Sequence, residues 1–248
     1  MGNVYTRHIN HNFFKKWNSK MSYVLGYIVA DGCIAISKDR KSHPFTLNIT
    51  SADLKHLYLL KETLESEHKI SKKSRKADNN GYQLQIRNHI ITKDLMNLGI
   101  FPRKTYNLNP IKVPEKYFPD FIRGFFDGDG SVYIYKVNGV PQIKASFSNP
   151  SLPFIAKLNQ DLCRKMGISM KTIHEDKNKR RKIPLYYIDF YIDDCEKFAE
   201  FMYRNNSSLF LLRKCKIFEK WKLIKRRHYI KQNYPSKVGW HLNQKVFT

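Results

Sequence analysis

Two hydrophobic patterns alternate along this chain: apolar residues at helical spacing, and apolar residues that alternate with polar ones. The first pattern predicts helices, and the second predicts strands that bury one face and leave the other open. In chain order they predict a helix, a strand pair, a helix, a further strand pair and a helix, followed by the same order again. Helices are expected near residues 20–31, 53–68, 92–98, 118–127, 152–166 and 194–203, and strands near 33–38, 45–51, 81–87, 131–137, 142–148 and 185–192. Asn18 or Ser19 would cap the first helix.

The second half of the chain repeats the first. At a separation of 98 residues (132 minus 34), Ile34 matches Val132, and the apolar positions of the following helices match as well. The separation grows to 110 (214 minus 104) at Lys104, which aligns with Lys214. A growing separation predicts insertions between elements, where loops tolerate them. The chain is therefore a duplication of a unit of about 100 residues, far longer than solenoid repeats. Each unit is expected to be α+β with an antiparallel sheet.

The alternating strands place polar side chains together on the face opposite the core. Apolar residues such as Leu47 and Ile49 occupy one face of a strand, and Gln, Asn, Arg, Lys, Ser or Thr occupy the other. Side chains of these types read base edges in the major groove of DNA. A merely solvated sheet face is the alternative explanation. The polar positions are Thr46, Asn48, Thr50, Gln83, Gln85 and Arg87 in the first half, and Gln142, Lys144, Ser146 and Ser148 in the second.

The net charge is strongly positive. The 248 residues include 45 Lys and Arg against 21 Asp and Glu, a formal charge of +24, which favours nucleic acid as the partner. A basic membrane-surface protein is the alternative, but no run reaches the ~20 apolar residues that span a bilayer. The four cysteines form no C-x-x-C pair, so we expect reduced, buried thiols without structural zinc or disulfides. The first residues lack a secretory signal, which indicates an intracellular protein of the cytoplasm, nucleoid or an organelle matrix.

Two nine-residue segments, at 24–32 and 122–130, share one pattern. Each is an apolar run with Gly at its third place and Asp-Gly at its end. Their aspartates, Asp31 and Asp129, occupy the same place 98 residues apart (129 minus 31). Two carboxylates at matched places of a duplication predict one shared metal site, and oxygen ligands with retained water suit Mg²⁺.

These two segments resemble the LAGLIDADG motifs of homing endonucleases, in the single-chain form that carries two motifs. The resemblance extends over about residues 13–218. It implies two αββαββα halves related by a pseudo-two-fold axis, with the motif helices packed side by side at the interface. The two antiparallel sheets would then form a DNA-binding saddle. Gly26 and Gly124 would let the motif helices approach each other closely.

The resemblance also implies a site and a reaction. Asp31 and Asp129 stand at the family's catalytic, metal-binding place, whereas Asp127 is not an expected ligand because the first motif has an apolar residue there. The implied cofactor is Mg²⁺, with two or more divalent ions; Mn²⁺ would substitute for it, and Ca²⁺ would bind without cleavage. The ions would assist phosphodiester hydrolysis on both DNA strands. Lys104 and Lys214 are candidate catalytic residues that hold waters or offset phosphate charge. Ordinary phosphate-contacting or solvated lysines are the alternative.

The implied target is an asymmetric double-stranded DNA site of roughly 20 base pairs, since each sheet would span about one turn of the duplex. One chain holds both halves, so a monomer suffices. Matched basic loops near 71–76 and 177–182 are expected to clamp phosphates. Further candidates for DNA contact are Ser37, Lys38, Arg40, Arg75, Tyr133, Tyr135, Lys179, Arg180, Arg181, Tyr187, Asp189 and Tyr191.

The predicted organisation is a lead-in over 1–19, a first half over 20–105, a linker over 106–117, a second half over 118–218, and a basic helical extension with a tail over 219–248. Site-specific cleavage of double-stranded DNA is the leading hypothesis. The alternatives are an RNA maturase or a non-cleaving DNA-binding protein on the same fold, and a sequence-independent architectural or ribosome-associated protein. An intron-borne or free-standing gene is favoured over an intein, because no flanking splicing residues are present.

Overall fold

Each half of the chain folds into a sheet and its helices in the predicted order. The computed structural model describes residues 7–36, 44–73, 81–104, 108–178, 183–204 and 208–233, with only the backbone of 227–233. The first half consists of α1 (Ser19–Asp31), β1 (Gly32–Ile36), β2 (Phe45–Ser51), α2 (Leu54–Thr63), β3 (Ile70–Lys73), β4 (Gly81–Ile86) and α3 (His89–Asn97). The second consists of α4 (Phe118–Asp129), β5 (Ser131–Val137), β6 (Val140–Asn149), α5 (Leu152–Met166), β7 (His174–Glu175), β8 (Tyr186–Tyr191) and α6 (Ile192–Tyr203), followed by α7 (Leu212–Asn233).

The two halves contain sheets of the same topology, which confirms the predicted α+β fold. Each is a four-stranded antiparallel sheet, in the order β1-β2-β4-β3 in the first half and β5-β6-β8-β7 in the second. Both sheets bury the predicted apolar face beneath helices. The fully buried strand residues are Leu47, Ile49, Leu84 and Ile86 in the first half and Ile143, Ala145, Phe147, Ile188 and Phe190 in the second.

Several element boundaries differ from those predicted. Asn18, rather than Ser19, caps α1, because its side chain accepts the backbone N–H of Met21 at 2.8 Å. Helix α2 ends at Thr63, since the chain turns at Glu65, whose φ is 51°. Residues 71–73, expected in a basic loop, belong instead to β3 and pair with β4.

The motif helices α1 and α4 form the interface between the halves, and their glycines decide how closely they pack. A Cβ atom on Gly26 would lie 2.1 Å from the carbonyl oxygen of Phe121, and one on Gly124 would lie 2.0 Å from that of Tyr23. Because Gly26 faces 121–125 while Ala30, four residues further along α1, faces Gly128, the contacts advance along both helices in the same direction. The helices are therefore parallel, and their C-terminal ends meet at one end of the interface.

The four cysteines differ in their exposure. The four thiols are free, as expected, but only Cys163 and Cys195 are buried, while Cys33 is exposed on β1 and Cys215 is half-buried. Cys33 is exposed because it occupies the open face of its sheet, opposite Asn48.

Among the described residues, no helix has the length and apolar character needed to cross a membrane.

Candidate active site and nucleic-acid interface

The two motif aspartates lie where the parallel helices end. Asp31 is the last residue of α1 and Asp129 the last of α4, so the helical prediction for 118–127 was too short at its C-terminal end. Both side chains are partly exposed. A Cβ atom on Gly128 would lie 2.2 Å from Cβ of Ala30 and 3.4 Å from Oδ2 of Asp31, so the two helix ends are in contact. The fold therefore brings the matched carboxyl groups into one site.

This site concentrates negative charge. Burial raises the pKa of Asp31, and burial together with the charge of Asp31 raises the pKa of Asp129 to about 6. The C-terminal ends of two parallel helices add partial negative charge at the same place. Repulsion of this kind favours a cation between the carboxylates. Among the described residues no three His, Cys, Asp or Glu side chains form a cluster, so this pair would depend on water or substrate for its other ligands.

Lys104 and Lys214 are both buried beneath the helix ends, 7% and 3% exposed respectively. The Nζ of Lys214 donates to the carbonyl oxygen of Asp127 at 2.9 Å, and also to those of Phe126 and Gly130. The Nζ of Lys104 donates to the carbonyl oxygen of Val29. Val29 and Asp127 are matched positions, so each lysine caps the motif helix of its own half. The cations thereby satisfy carbonyls that helix ends leave unpaired.

The two lysines also act on the aspartates. Burial lowers the pKa of Lys214 to about 8, and the carboxylates of Asp127, Asp31 and Asp129 oppose that shift. Burial lowers the pKa of Lys104 as well, and the charge of Asp129 opposes it more strongly than that of Asp31. The charge of Lys104, which caps the first motif helix, therefore also acts on the aspartate of the second. The two halves share one electrostatic site, and the catalytic role of the lysines stays a prediction.

Asp127 lies in a buried hydrogen-bond network behind the site. Its Oδ2 accepts the Tyr23 hydroxyl at 2.6 Å and the backbone N–H of Leu211 at 2.7 Å. The Tyr23 hydroxyl also lies 3.1 Å from Nε2 of His56. Burial raises the pKa of Asp127 to about 6 and lowers that of His56 to about 4. The carboxyl of Asp127 thus ties α4 to α1 and to the start of α7. The signal for this role available in the sequence was an acidic residue inside an apolar run.

Arg213 is a basic residue of the site that the sequence did not single out from the rest of its helix. It stands next to Lys214 in the first turn of α7, and its side chain is exposed. Burial raises the pKa of Asp31, and the positive charge of Arg213 opposes that rise, as do the charges of Lys214 and Lys104. Its guanidinium therefore adds an accessible positive charge beside the helix ends. The alignment of Arg213 with Arg103, which is also exposed, was the available signal.

On the first sheet, the polar side chains predicted to contact DNA line the face away from the core, here called the open face. Cys33, Asn48 and Gln85 form one cross-strand row, in which the Gln85 amide donates to Oδ1 of Asn48 at 3.1 Å. Asn48 is thereby nearly covered, at 8% exposed. Partly or fully exposed around this row are Thr46, Thr50 and Gln83, with Arg87 just beyond β4.

The open face of the second sheet is more aromatic. Lys144 lies between Tyr133 and Tyr191 in a row across three strands, and both tyrosines are 46% exposed. The Nζ of Lys144 pairs with Oδ2 of Asp189 at 2.7 Å, and this pairing raises the pKa of Lys144 despite partial burial. Lys144 is consequently neutralised within the sheet. The other predicted contact residues on this face are Tyr135, Gln142, Ser146, Ser148 and Tyr187, the last stacked on His174 at 5.2 Å.

Seven of the predicted contact residues fall outside the described ranges. They are Ser37, Lys38, Arg40, Arg75, Lys179, Arg180 and Arg181.

Comparison with known families agrees with the duplication and with the packed motif helices. A model of the LAGLIDADG-like domain matches the chain twice, over residues 18–105 and 120–202. The two matches cover most of the chain and correspond to its two halves. The protein therefore belongs to the LAGLIDADG family. No curated protein shows significant sequence similarity to it.

Solved structures share this fold at low sequence identity. The I-SmaMI LAGLIDADG homing endonuclease bound to cleaved DNA aligns with a TM-score of 0.56 and 14% identity, covering 89% of this chain and 93% of that one. The meganuclease I-AabMI bound to uncleaved DNA aligns with a TM-score of 0.56 and 16% identity, covering 87% and 93%. The homing endonuclease I-GzeII in complex with its DNA target gives 0.52 and 12%, covering 90% and 94%. These likenesses establish the two-half fold.

Proposed function

We propose that this protein is a metal-dependent, site-specific endonuclease that cuts both strands of double-stranded DNA. The observation that carries the proposal is the meeting of Asp31 and Asp129 at the shared end of two parallel helices. Each half of a duplicated chain supplies one carboxylate to that site, and the first strand of each sheet begins within two residues of that carboxylate. Structural neighbours with this fold are homing endonucleases held in complexes with DNA.

The residues of the site fit a divalent metal. Asp31 and Asp129 offer hard oxygen donors, both partly exposed, in a place where burial and mutual repulsion hold the pKa of Asp129 near 6 without a cation. Mg²⁺ binds through one or two carboxylates and keeps its remaining waters and substrate oxygens, which matches a two-carboxylate site. When bound, such ions activate water and stabilise the leaving oxygen of a phosphodiester. In this proposal the metal is Mg²⁺, and the site holds two or more divalent ions.

The chain's own residues prepare the site for that chemistry. Lys104 and Lys214 cap the helix ends and hold Asp31 and Asp129 in place through the backbone, while their charges favour the ionised carboxylates. Arg213 adds an exposed cation that can pair with a scissile phosphate, since guanidinium binds phosphate oxygens through fixed donors. Asp127 positions the start of α7, and with it Lys214 and Arg213.

The open sheet faces supply DNA recognition in this proposal. Their polar and tyrosine side chains would lie in the major groove on either side of the site, and the +24 charge would attract the phosphate backbone. A ten-residue strand such as β6 spans about 33 Å, close to one duplex turn, so two halves would give a target of roughly 20 base pairs. The two faces differ, with a Cys33–Asn48–Gln85 row in one half and a Tyr133–Lys144–Tyr191 row in the other. The target should therefore be asymmetric, and one monomer would bind it inside the cell.

Selection of a cleaved sequence from a random duplex library, with Mg²⁺, tests the proposal directly. We expect one asymmetric site to be cut on both strands with Mg²⁺ or Mn²⁺ and to be bound but left intact with Ca²⁺. Asp31→Asn and Asp129→Asn should each abolish cutting while retaining binding, whereas Asp161→Asn, whose ion pairs lie within α5, should cut normally. Cutting by both site variants would refute the metal-site assignment. Binding without cutting by the native chain, or binding to structured RNA alone, would favour the non-cleaving or maturase alternatives.

A further inference from the structure

The β5–β6 hairpin ends in an exposed apolar pair. A two-residue turn, Asn138–Gly139, joins the strands, and both of its residues have positive φ, 50° and 81°. Such a turn matches the twist of the strands it connects and holds their ends in register. Val137 and Val140 are thereby paired directly across the hairpin. Their side chains are 48% and 44% exposed.

These valines belong to the open face and not to the core. Side chains alternate along a strand, so Val137 shares its face with Tyr133 and Tyr135, and Val140 shares its face with Gln142 and Lys144. Neither valine belongs to the hydrophobic core formed by the described residues. The open face of the hairpin thus ends in an apolar cross-strand pair, although its inner pairs are polar or mixed. This pair, Val137 and Val140, is called the valine rung.

The occupant that fits the valine rung is a methyl group in the major groove of DNA. The rung continues a face whose next pair is Tyr135 and Gln142, side chains suited to base edges. An apolar side chain at such a place contacts the 5-methyl group of thymine, the apolar feature of the major groove. Val137 and Val140 together present four methyl groups. Because β-branched side chains are stiff at χ1, these residues lose little rotamer freedom on binding.

The register also sets where that methyl group lies. Successive cross-strand pairs on one face are two residues apart, about 6.8 Å along the strand, which corresponds to about two base-pair steps of B-DNA. The pair nearest the motif aspartates is Ser131 with Ser146, and the valine rung is three pairs further out. Its base pair should therefore lie about six base pairs outside the one that faces Ser131.

We propose that the valine rung reads 5-methyl groups of pyrimidines in the outer part of the half-site bound by the second half of the chain. This inference rests on the proposed function and adds to it the identity of a base feature, its reader and its position. Loss of one methyl contact corresponds to about 0.8 kcal/mol, or about fourfold in affinity.

The experiment selects bound duplexes from a random library in Ca²⁺, using the native chain and the double variant Val137→Ser/Val140→Ser. The native chain should enrich thymine about six base pairs outside the Ser131 position, and uracil there should weaken binding about fourfold. The double variant should lose both the enrichment and the uracil effect. Met170→Ser, at an exposed apolar residue outside the strands, is the matched control and should retain both.

The outcomes separate the two levels of the proposal. If no sequence is enriched, the proposed function fails and the inference with it. If a site is enriched and cut but thymine preference is absent there, or persists unchanged in the double variant, the valine rung does not read methyl groups. A concentration-dependent dimer of the native chain that the double variant loses, with the base preference unchanged, would assign the rung to self-association and would also overturn the inference. Circular dichroism of each variant checks that it is folded.

Discussion

Gly124 and Tyr23 are in backbone contact across the interface of the two halves: a Cβ atom on Gly124 would lie 2.0 Å from the Tyr23 carbonyl oxygen. The reciprocal contact of Gly26 with Phe121 obeys the same pseudo-symmetry. No side chain can give way here, because the opposing atoms are backbone. The separation of the motif helices, and with it the approach of Asp31 to Asp129, depends on the absence of these two Cβ atoms.

Gly124→Ala should therefore lower the free energy of unfolding by about 3 kcal/mol, the upper range for overpacking a well-filled interface. Urea denaturation measures this. Gly81→Ala is the matched control, because a Cβ there would meet only Cγ2 of Thr50, at 4.0 Å, and stability should change little. If Gly124→Ala were as stable as Gly81→Ala, the helices could separate freely and the close contact would not be required.

Lys214→Met should lower the free energy of unfolding by about 2 kcal/mol, because it removes the donor that the Asp127 and Gly130 carbonyls share in a buried setting, while the Phe126 carbonyl keeps the backbone N–H of Gly130. Lys104→Met removes the single bond to Val29 and should cost about half as much. Denaturant unfolding without metal compares the two variants. If both variants were as stable as the native chain but no longer cleaved DNA, the amino groups would act on the substrate and not as helix caps.

The pKa of Asp129 predicts a stability change with pH. Burial and the charge of Asp31 raise this pKa from 3.8 to about 6. Between those two pH values the carboxyl group is protonated in the folded protein and ionised in the unfolded chain. Without metal, this group's contribution to stability is present below pH 4 and is lost as the pH rises towards 6. Asp129→Asn should remove that loss.

The measurement is the difference in unfolding free energy between Asp129→Asn and the native chain, in a chelator, from pH 4 to pH 7. The difference should grow in favour of the variant up to about pH 6 and then level off. His56, whose pKa is lowered to about 4, makes both proteins more stable as the pH rises. Taking the difference between the variant and the native chain reduces this shared contribution. Parallel profiles would show that Asp129 is not held in its neutral form.

Arg213→Gln should reduce the rate of cleavage on the order of 100-fold while affinity in Ca²⁺ falls only slightly, if the exposed guanidinium stabilises the reacting phosphate. Lys220→Gln, an exposed basic residue further along α7, is the control and should alter neither rate nor affinity appreciably. Single-turnover cleavage and equilibrium binding separate the two effects. If both variants lost affinity equally and cleaved at the native rate, Arg213 would be a general phosphate contact with no role in the reaction.

Much of the fold could be predicted from local pattern. The alternation of Leu47 and Ile49 with polar residues identified the buried face of β2, and the helical spacing of apolar residues identified α5 at its observed bounds. The ends of elements were harder to predict, as at α2, because a turn such as that at Glu65 depends on contacts beyond the local pattern. Lys144 illustrates the same limit for the interface, since its neutralisation by Asp189 links two strands far apart in the chain.

The duplication, the order of the elements, the buried faces and the matched places of Asp31 and Asp129 could all be inferred from the order of residues alone. These depend on periodicity and on spacing, which are properties of the chain read in one dimension. The partners of the buried charges became known only from the folded chain: Lys214 donates to backbone carbonyls, Asp127 accepts from Tyr23 and Leu211, and the two motif aspartates act on each other. The reason is that hydrogen bonds and charge–charge interactions depend on separations of a few ångströms and on burial, which arise only when the two halves pack together.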